Sequence, residues 1–208
     1  MATAEPVTSY APDILSQLQE DTIGSRRRSE QRFEVLFCSR IHARKRPELF
    51  VEAARELNFA YPGQFLFRVV GPDGGELATI TKAGPSFEDG SFSYDGSLPP
   101  GEVPDALERA DVLMLPSLNE PFPMIVLEAL ALGVPVIIDA TCGLAPILTD
   151  QAGVRIVISN PTTLADAVLS IKESPVDERK GARKLAATEF STARLEKQLT
   201  AAYKEAVG

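Results

Sequence analysis

The chain has 208 residues, 44% of them hydrophobic and 24% charged, and a formal net charge of -8. That length suits one α/β domain with a full core and is short for two. The acidic balance argues against bulk nucleic-acid binding, whose footprint is a basic surface, but a local basic cluster can still receive a small anionic ligand.

Residues 1–32 are polar, carry Pro6, Pro12 and Gly24, and include the run Arg26-Arg27-Arg28. They read as an N-terminal tail or connector, with one short helical stretch at Ile14–Gln19. The opening M-A-T-A-E-P-V-T-S-Y lacks a basic region followed by an apolar run, so no signal peptide is expected. Nor is a spanning helix expected, because no run of about 20 uninterrupted apolar residues occurs. Two cysteines, Cys38 and Cys142, and one histidine, His42, provide neither a disulfide framework nor zinc-ligand spacing. Both thiols read as free and buried, which fits a reducing, cytoplasmic setting.

From Phe33 the pattern is regular, and residues 33–208 read as one domain. Val35–Ser39 is a buried strand, followed by a helix over Pro47–Asn58 with Leu49, Phe50, Ala53, Ala54 and Leu57 at helical spacing. Phe65–Val70 is a second strand, stopped by Gly71-Pro72, and Glu76–Lys82 a second helix. Ser91–Tyr94, Val112–Leu115, Val134–Ile138 and Arg155–Ile158 read as further strands. Helices are expected over Val103–Arg109, Met124–Leu132, Ala145–Gln151, Thr162–Lys172, Val176–Thr188 and Thr192–Ala206. Strand alternating with helix predicts an α/β fold: a Rossmann-like, three-layer domain with a mostly parallel sheet and helices on both faces. Ligands in such a domain bind at the carboxyl ends of the strands, where strand order reverses.

Four features could carry chemistry. The segment Ser39-Arg40-Ile41-His42-Ala43-Arg44-Lys45-Arg46 follows the first strand and places four cations in seven positions. Arginine offers a planar fork and lysine a point charge for phosphate oxygens; a solvated basic loop is the plainer alternative. Next, Glu120 and Glu128 stand eight positions apart around a turn and inside an apolar helix. Pro121 and Pro123 suit the helix entry, and the amides of Phe122, Met124 and Ile125 could hold an anion at its N-terminus. Glu120 could accept hydrogen bonds from sugar hydroxyls, and Glu128 could accept two hydroxyls of a ribose. The alternatives are a capping charge at Glu120 and an outward-facing Glu128. Gly71-Pro72-Asp73-Gly74-Gly75 either lets a backbone approach a ligand or forms a plain tight turn. His42 lacks a carboxylate partner in sequence and reads as a loop residue shaping the same region.

Taken together, the basic loop with Arg40 and Lys45, the V-V-G-P and Y-D-G-S-L segments, A-D-V-L-M-L-P-S, and E-P-F-P-M-I-V-L-E-A-L-A-L-G-V-P-V-I resemble one family. It is the C-terminal, nucleotide-sugar-binding domain of the retaining GT-B glycosyltransferases, glycosyl transferases group 1, over about residues 33–171. The resemblance implies one half of a GT-B fold. It also implies transfer of a sugar from a nucleotide-sugar donor to an acceptor with retention, of the hexosyltransferase type. Arg40 and Lys45 then match the cations on the donor diphosphate, Glu120 the acid at the donor sugar, and Glu128 the acid at the ribose. The segment Tyr94–Leu98, with Tyr94 and Leu98 at its ends, matches the region lining the base, and Gly71 of V-V-G-P stands with the nucleotide-binding positions. No cofactor or metal is implied; the nucleotide-sugar is a substrate, its base and acceptor unspecified.

The chain departs from the family's pattern in three ways. Pro123 stands where the family commonly has glycine, and Cys142-Gly143-Leu144-Ala145-Pro146 lacks the acid that often follows there. An N-terminal acceptor domain is also missing, so the chain is expected to be incomplete and inactive or weakly active alone, with a separate acceptor-domain chain as its partner. A non-catalytic nucleotide- or nucleotide-sugar-binding or interaction module is the alternative. A nucleotide-sugar epimerase-like domain is a third reading and meets the same objection of size.

Overall fold

The computed structural model describes residues 32–87 and 89–190. The helices expected at Ile14–Gln19 and Thr192–Ala206 lie outside those residues. Within them, six strands form one sheet: β1 (Phe33–Cys38), β2 (Phe65–Val70), β3 (Phe92–Tyr94), β4 (Val112–Leu115), β5 (Val136–Asp139) and β6 (Val154–Val157). Their order is β3-β2-β1-β4-β5-β6, and every pairing is parallel. The chain therefore builds outward from β1 to β3, returns to lay β4 beside β1, and builds outward the other way. Val35 pairs with Val112 and Leu36 with Leu113 across that reversal.

Both faces of the sheet are covered, which explains why β1, β4 and β5 read as continuous apolar runs rather than alternating ones. One layer holds α1 (Pro47–Ala60), α2 (Leu77–Ala83) and α6 (Pro161–Glu173), packed on a phenylalanine-rich core. Phe37 and Phe50 lie 5.6 Å apart between ring centroids, and Phe87 and Phe92 4.9 Å. The opposite layer holds α3 (Val103–Arg109), α4 (Met124–Ala131), α5 (Ala145–Leu148) and α7 (Pro175–Glu189) over an aliphatic core. No helix among the described residues is long and apolar enough to cross a membrane.

Most element ends differ from the sequence expectation by one to three residues, and three of them have clear local reasons. Helix α5 stops at Leu148 because Thr149 takes a φ of 53°, outside the helical region, and Gln151 bridges back to Val154. Asn160 caps α6 by accepting from the Thr163 amide, so the helix begins at Pro161. Strand β5 runs to Asp139, which carries a carboxylate to the carboxyl edge of the sheet.

Candidate functional site

The loops after β1, β4 and β5 converge at the carboxyl edge of the sheet, where strand order reverses. The cationic loop is tied first to the glycine-rich turn after β2. The Ile41 amide donates to the Pro72 carbonyl (2.9 Å), and the Gly74 amide donates to the Ile41 carbonyl (2.9 Å). A Cβ at Gly71 would stand 1.8 Å from the Ser39 carbonyl oxygen, and one at Gly74 2.8 Å from Arg40 Cγ. Both glycines thus serve close approach of this turn to the basic loop. The Gly71 amide donates to the Gly96 carbonyl (2.8 Å), and the Tyr94 hydroxyl donates to the Gly71 carbonyl (3.1 Å). Those bonds join Gly71 and Tyr94 at the ends of β2 and β3, while Leu98 packs on the aliphatic core of the α4 face.

The four cations of the loop have four different surroundings. A short 3₁₀ turn, Ala43–Lys45, is capped by His42, whose Nδ1 accepts from the Arg44 amide (3.2 Å). Arg44 donates from Nη2 to the Asn119 carbonyl (3.2 Å). Lys45 Nζ donates to Glu120 Oε2, joining the loops after β1 and β4. Arg46 turns inward: Nη1 lies 3.5 Å from Asp139 Oδ2, and Nη2 donates to the Ser159 carbonyl (3.0 Å). The Arg40 side chain is exposed and runs past Gly74. Clustering in sequence predicted one undivided positive field, whereas three of these cations hold loops together as well as supplying charge.

Glu120 is not a cap of α4: Pro123 occupies the N-cap position, and no side chain hydrogen-bonds there. Met124 and Ile125 occupy the first turn, where amides have no intrahelical acceptor, and the Phe122 amide lies just before it. The Phe122 and Met124 side chains are 52% and 39% exposed, large apolar groups beside the Lys45–Glu120 pair in the chain. Gly143 presses on this turn from the β5 side, its amide donating to the Glu120 carbonyl (2.8 Å) and a Cβ there standing 2.0 Å from the Pro121 carbonyl.

Glu128 is half-buried in α4, two positions from Val126 and from Leu130 and so on the side of the helix away from those core residues. Burial pushes its carboxyl group up from the ordinary glutamate range. Its charge reaches the end of β1, where burial first and Glu128 second push the Cys38 thiol up to about 11, against an opposing pull from Arg68. Cys38 and Cys142 are both free and buried, as the sequence predicted.

Sequence reasoning missed Asp139 and Thr141. Asp139 is 4% exposed, at the end of β5. Its Oδ1 accepts from the Thr141 amide (2.9 Å) and from Thr141 Oγ1 (2.6 Å), while Oδ2 accepts from the Ser159 amide (3.1 Å). Burial alone would raise its pKa, but hydrogen bonds from Thr141 and Ser159 outweigh that and hold it below the usual carboxylate range. The available signal was an acid ending an otherwise apolar strand, V-I-I-D.

Among the described residues no group of three or more His, Cys, Asp or Glu side chains could hold a metal ion. Comparison with known proteins gives the family and the fold. The curated relatives include the D-inositol 3-phosphate glycosyltransferase of Paenarthrobacter aurescens, 30% identical over 189 residues, covering 84% of this chain and 44% of that protein. The same-named protein of Geodermatophilus obscurus is 32% identical over 198 residues, covering 89% and 44%. The chain therefore spans less than half the length of these relatives. Among solved structures, Anabaena HepE in complex with UDP superposes with a TM-score of 0.69 at 19% identity, covering 84% of this chain and 49% of that one. The isolated C-terminal domain of a glycosyl transferase group 1 family protein from Francisella tularensis gives 0.68 at 19% identity, covering 77% of this chain and 87% of that one. The family model described as glycosyl transferases group 1 matches residues 19–188, so the chain belongs to the group 1 glycosyltransferase family.

Proposed function

We propose that this chain is the donor-binding half of a retaining glycosyltransferase, which holds a nucleotide-sugar and needs an N-terminal acceptor domain for efficient turnover. The observation that carries this reading is the meeting of Lys45 and Glu120 across the β1–β4 reversal, beside the open N-terminus of α4. An acid next to a diphosphate would repel it unless a cation stood between them. Lys45 has three donors and spends one on Glu120, which leaves two for phosphate oxygens. The two side chains are 22% and 21% exposed, so the pair stays open to an incoming phosphate on one side.

In this reading Arg40 and Lys45 bind the diphosphate, with help from the amides of Phe122, Met124 and Ile125. Glu120 accepts from hydroxyls of the donor sugar, and Glu128 from the two ribose hydroxyls. Gly71, Tyr94 and Leu98 line the base. Charge builds on the diphosphate as the sugar departs, and cations fixed in place before the reaction stabilise that charge without reorganising. UDP is the first probe because HepE is a UDP complex.

Calorimetric titration of the 208-residue chain with UDP, GDP and ADP tests the reading. Binding of one of them at micromolar to millimolar concentration, weakened by Lys45→Ala, is the expected result. Absence of binding to all three at millimolar concentration overturns it.

A further inference from the structure

Two non-glycine residues at the carboxyl edge have left-handed backbones, Arg46 at φ 53° and Asn119 at φ 49°. Such positions are strained and persist only where surrounding contacts hold them. Arg46 directly follows Lys45, and Asn119 directly precedes Glu120. The two strained residues therefore flank the cation and the acid that meet across the strand reversal.

Both are held by the same buried carboxylate. Arg46 faces Asp139 Oδ2 at 3.5 Å. Asn119 is reached through one intermediary: the Thr141 hydroxyl commits its proton to Asp139 Oδ1 (2.6 Å), which orients its lone pair to accept from the Asn119 amide (2.9 Å). Arg44 closes the loop, donating to the Asn119 carbonyl (3.2 Å) and accepting at its own carbonyl from the Leu118 amide (2.9 Å). A hydroxyl has one proton, so without Asp139 to take it Thr141 would have no fixed orientation toward Asn119.

We propose that Asp139 is the positioning residue of this site, setting the backbone on both sides of the Lys45–Glu120 pair through Arg46 and through Thr141. Its functional consequence rests on the donor-site reading above; its geometric consequence does not. Asp139 touches no substrate in this scheme and acts through its two relays. The Thr141 relay is the cleaner one to cut, because Asp139→Asn would set an amide donor against Arg46 and Ser159 and could fail to fold.

The test compares Thr141→Val, which keeps the shape and removes the hydroxyl, with Thr141→Ser, which keeps the hydroxyl. In the ligand-free chain, amide hydrogen exchange at Asn119 should speed up at least about tenfold in Thr141→Val, with β1 and β4 amides unchanged, and return to the wild-type rate in Thr141→Ser. For whichever of UDP, GDP and ADP binds, Kd should rise about fivefold to tenfold in Thr141→Val at near-constant Tm, and recover in Thr141→Ser. Wild-type Asn119 exchange in Thr141→Val overturns the proposal, as does a lowered Tm with unchanged Kd. Should the wild-type chain bind none of the nucleotides, the donor-site reading falls, and the exchange measurement alone decides the positioning role.

Discussion

Replacing Glu128 by glutamine should move two properties in opposite directions. The carboxylate is half-buried in α4, and burial raises its pKa. In the empty protein its charge is thus a cost, and glutamine of the same shape removes it. Because much of the group still meets solvent, the gain should be only about 0.5 kcal/mol, or roughly 1–2 °C in Tm for a domain of this size. The sign of the pH dependence follows. A folded-state pKa above the ordinary value of 4.5 means the folded protein binds the proton more tightly than the unfolded chain. Glu128 therefore makes the wild-type protein lose stability as pH rises from about 4.5 through its elevated folded pKa, and Glu128→Gln should lack that component. Nucleotide binding should respond the other way. Hydrogen bonds to a charged acceptor are worth about 1–1.5 kcal/mol more than those to a neutral one, so Kd should rise about 5- to 13-fold. Complete truncation in Glu128→Ala should cost about 1–3 kcal/mol of binding. Scanning fluorimetry across pH 4–8 and calorimetry on the same preparations would measure both. A lowered Tm for Glu128→Gln, or a raised Tm with unchanged Kd, would refute the reasoning that this helix tolerates a desolvated acid for the sake of a ligand.

Other expectations concern the frame around the site. Gly181 in α7 packs on the β5–β6 connection, and a Cβ there would stand 2.3 Å from the Ala152 carbonyl oxygen. Gly181→Ala should thus destabilise the protein by about 1–3 kcal/mol despite alanine's better helix propensity; a rise in urea midpoint would contradict the packing. Glu178, 6% exposed, accepts from the Gly153 amide (2.6 Å) and from Arg155 Nη2 (2.5 Å). Glu178→Ala should cost about 1–3 kcal/mol, chiefly by leaving the Gly153 amide unpaired, since Arg155 keeps its bonds to Ser170 and to the Gln151 and Val154 carbonyls, read as a fall in urea midpoint at constant m-value. At pH 8 the Cys38 thiol, pushed up to about 11, should be ionised in roughly one molecule in a thousand. Labelling by a thiol reagent should be slow in native protein and fast in urea, and rapid native labelling of Cys38 would refute the burial.

Much of the architecture was legible from residue order. Strands at β1, β2, β4 and β5 announced themselves as short apolar runs between turn residues, and their alternation with helices predicted a sheet covered on both faces. Lys45 and Glu120 meet because the strands they follow, β1 and β4, are neighbours in the sheet. Their separation of 75 positions carries no local signal, and only strand order brings them into contact. The four clustered cations were harder. Sequence treats Arg44, Lys45 and Arg46 as neighbours of one kind, while the left-handed backbone at Arg46 turns its side chain toward β5 and the turn before it leaves Lys45 facing Glu120.

Local chemistry settled which segments could be strands and helices, because apolar periodicity, prolines at helix starts and glycines at turns act within a few residues and need no partner. It also limited which side chains could carry phosphate or sugar contacts. The use of each group was settled only by folding. Gly71 and Gly74 serve the approach of one loop to another, and Asp139 and Thr141 became a joint between loops because three strand ends converge there. A buried carboxylate acquires its role from the donors that surround it, and here those donors come from three loops, after β1, β5 and β6.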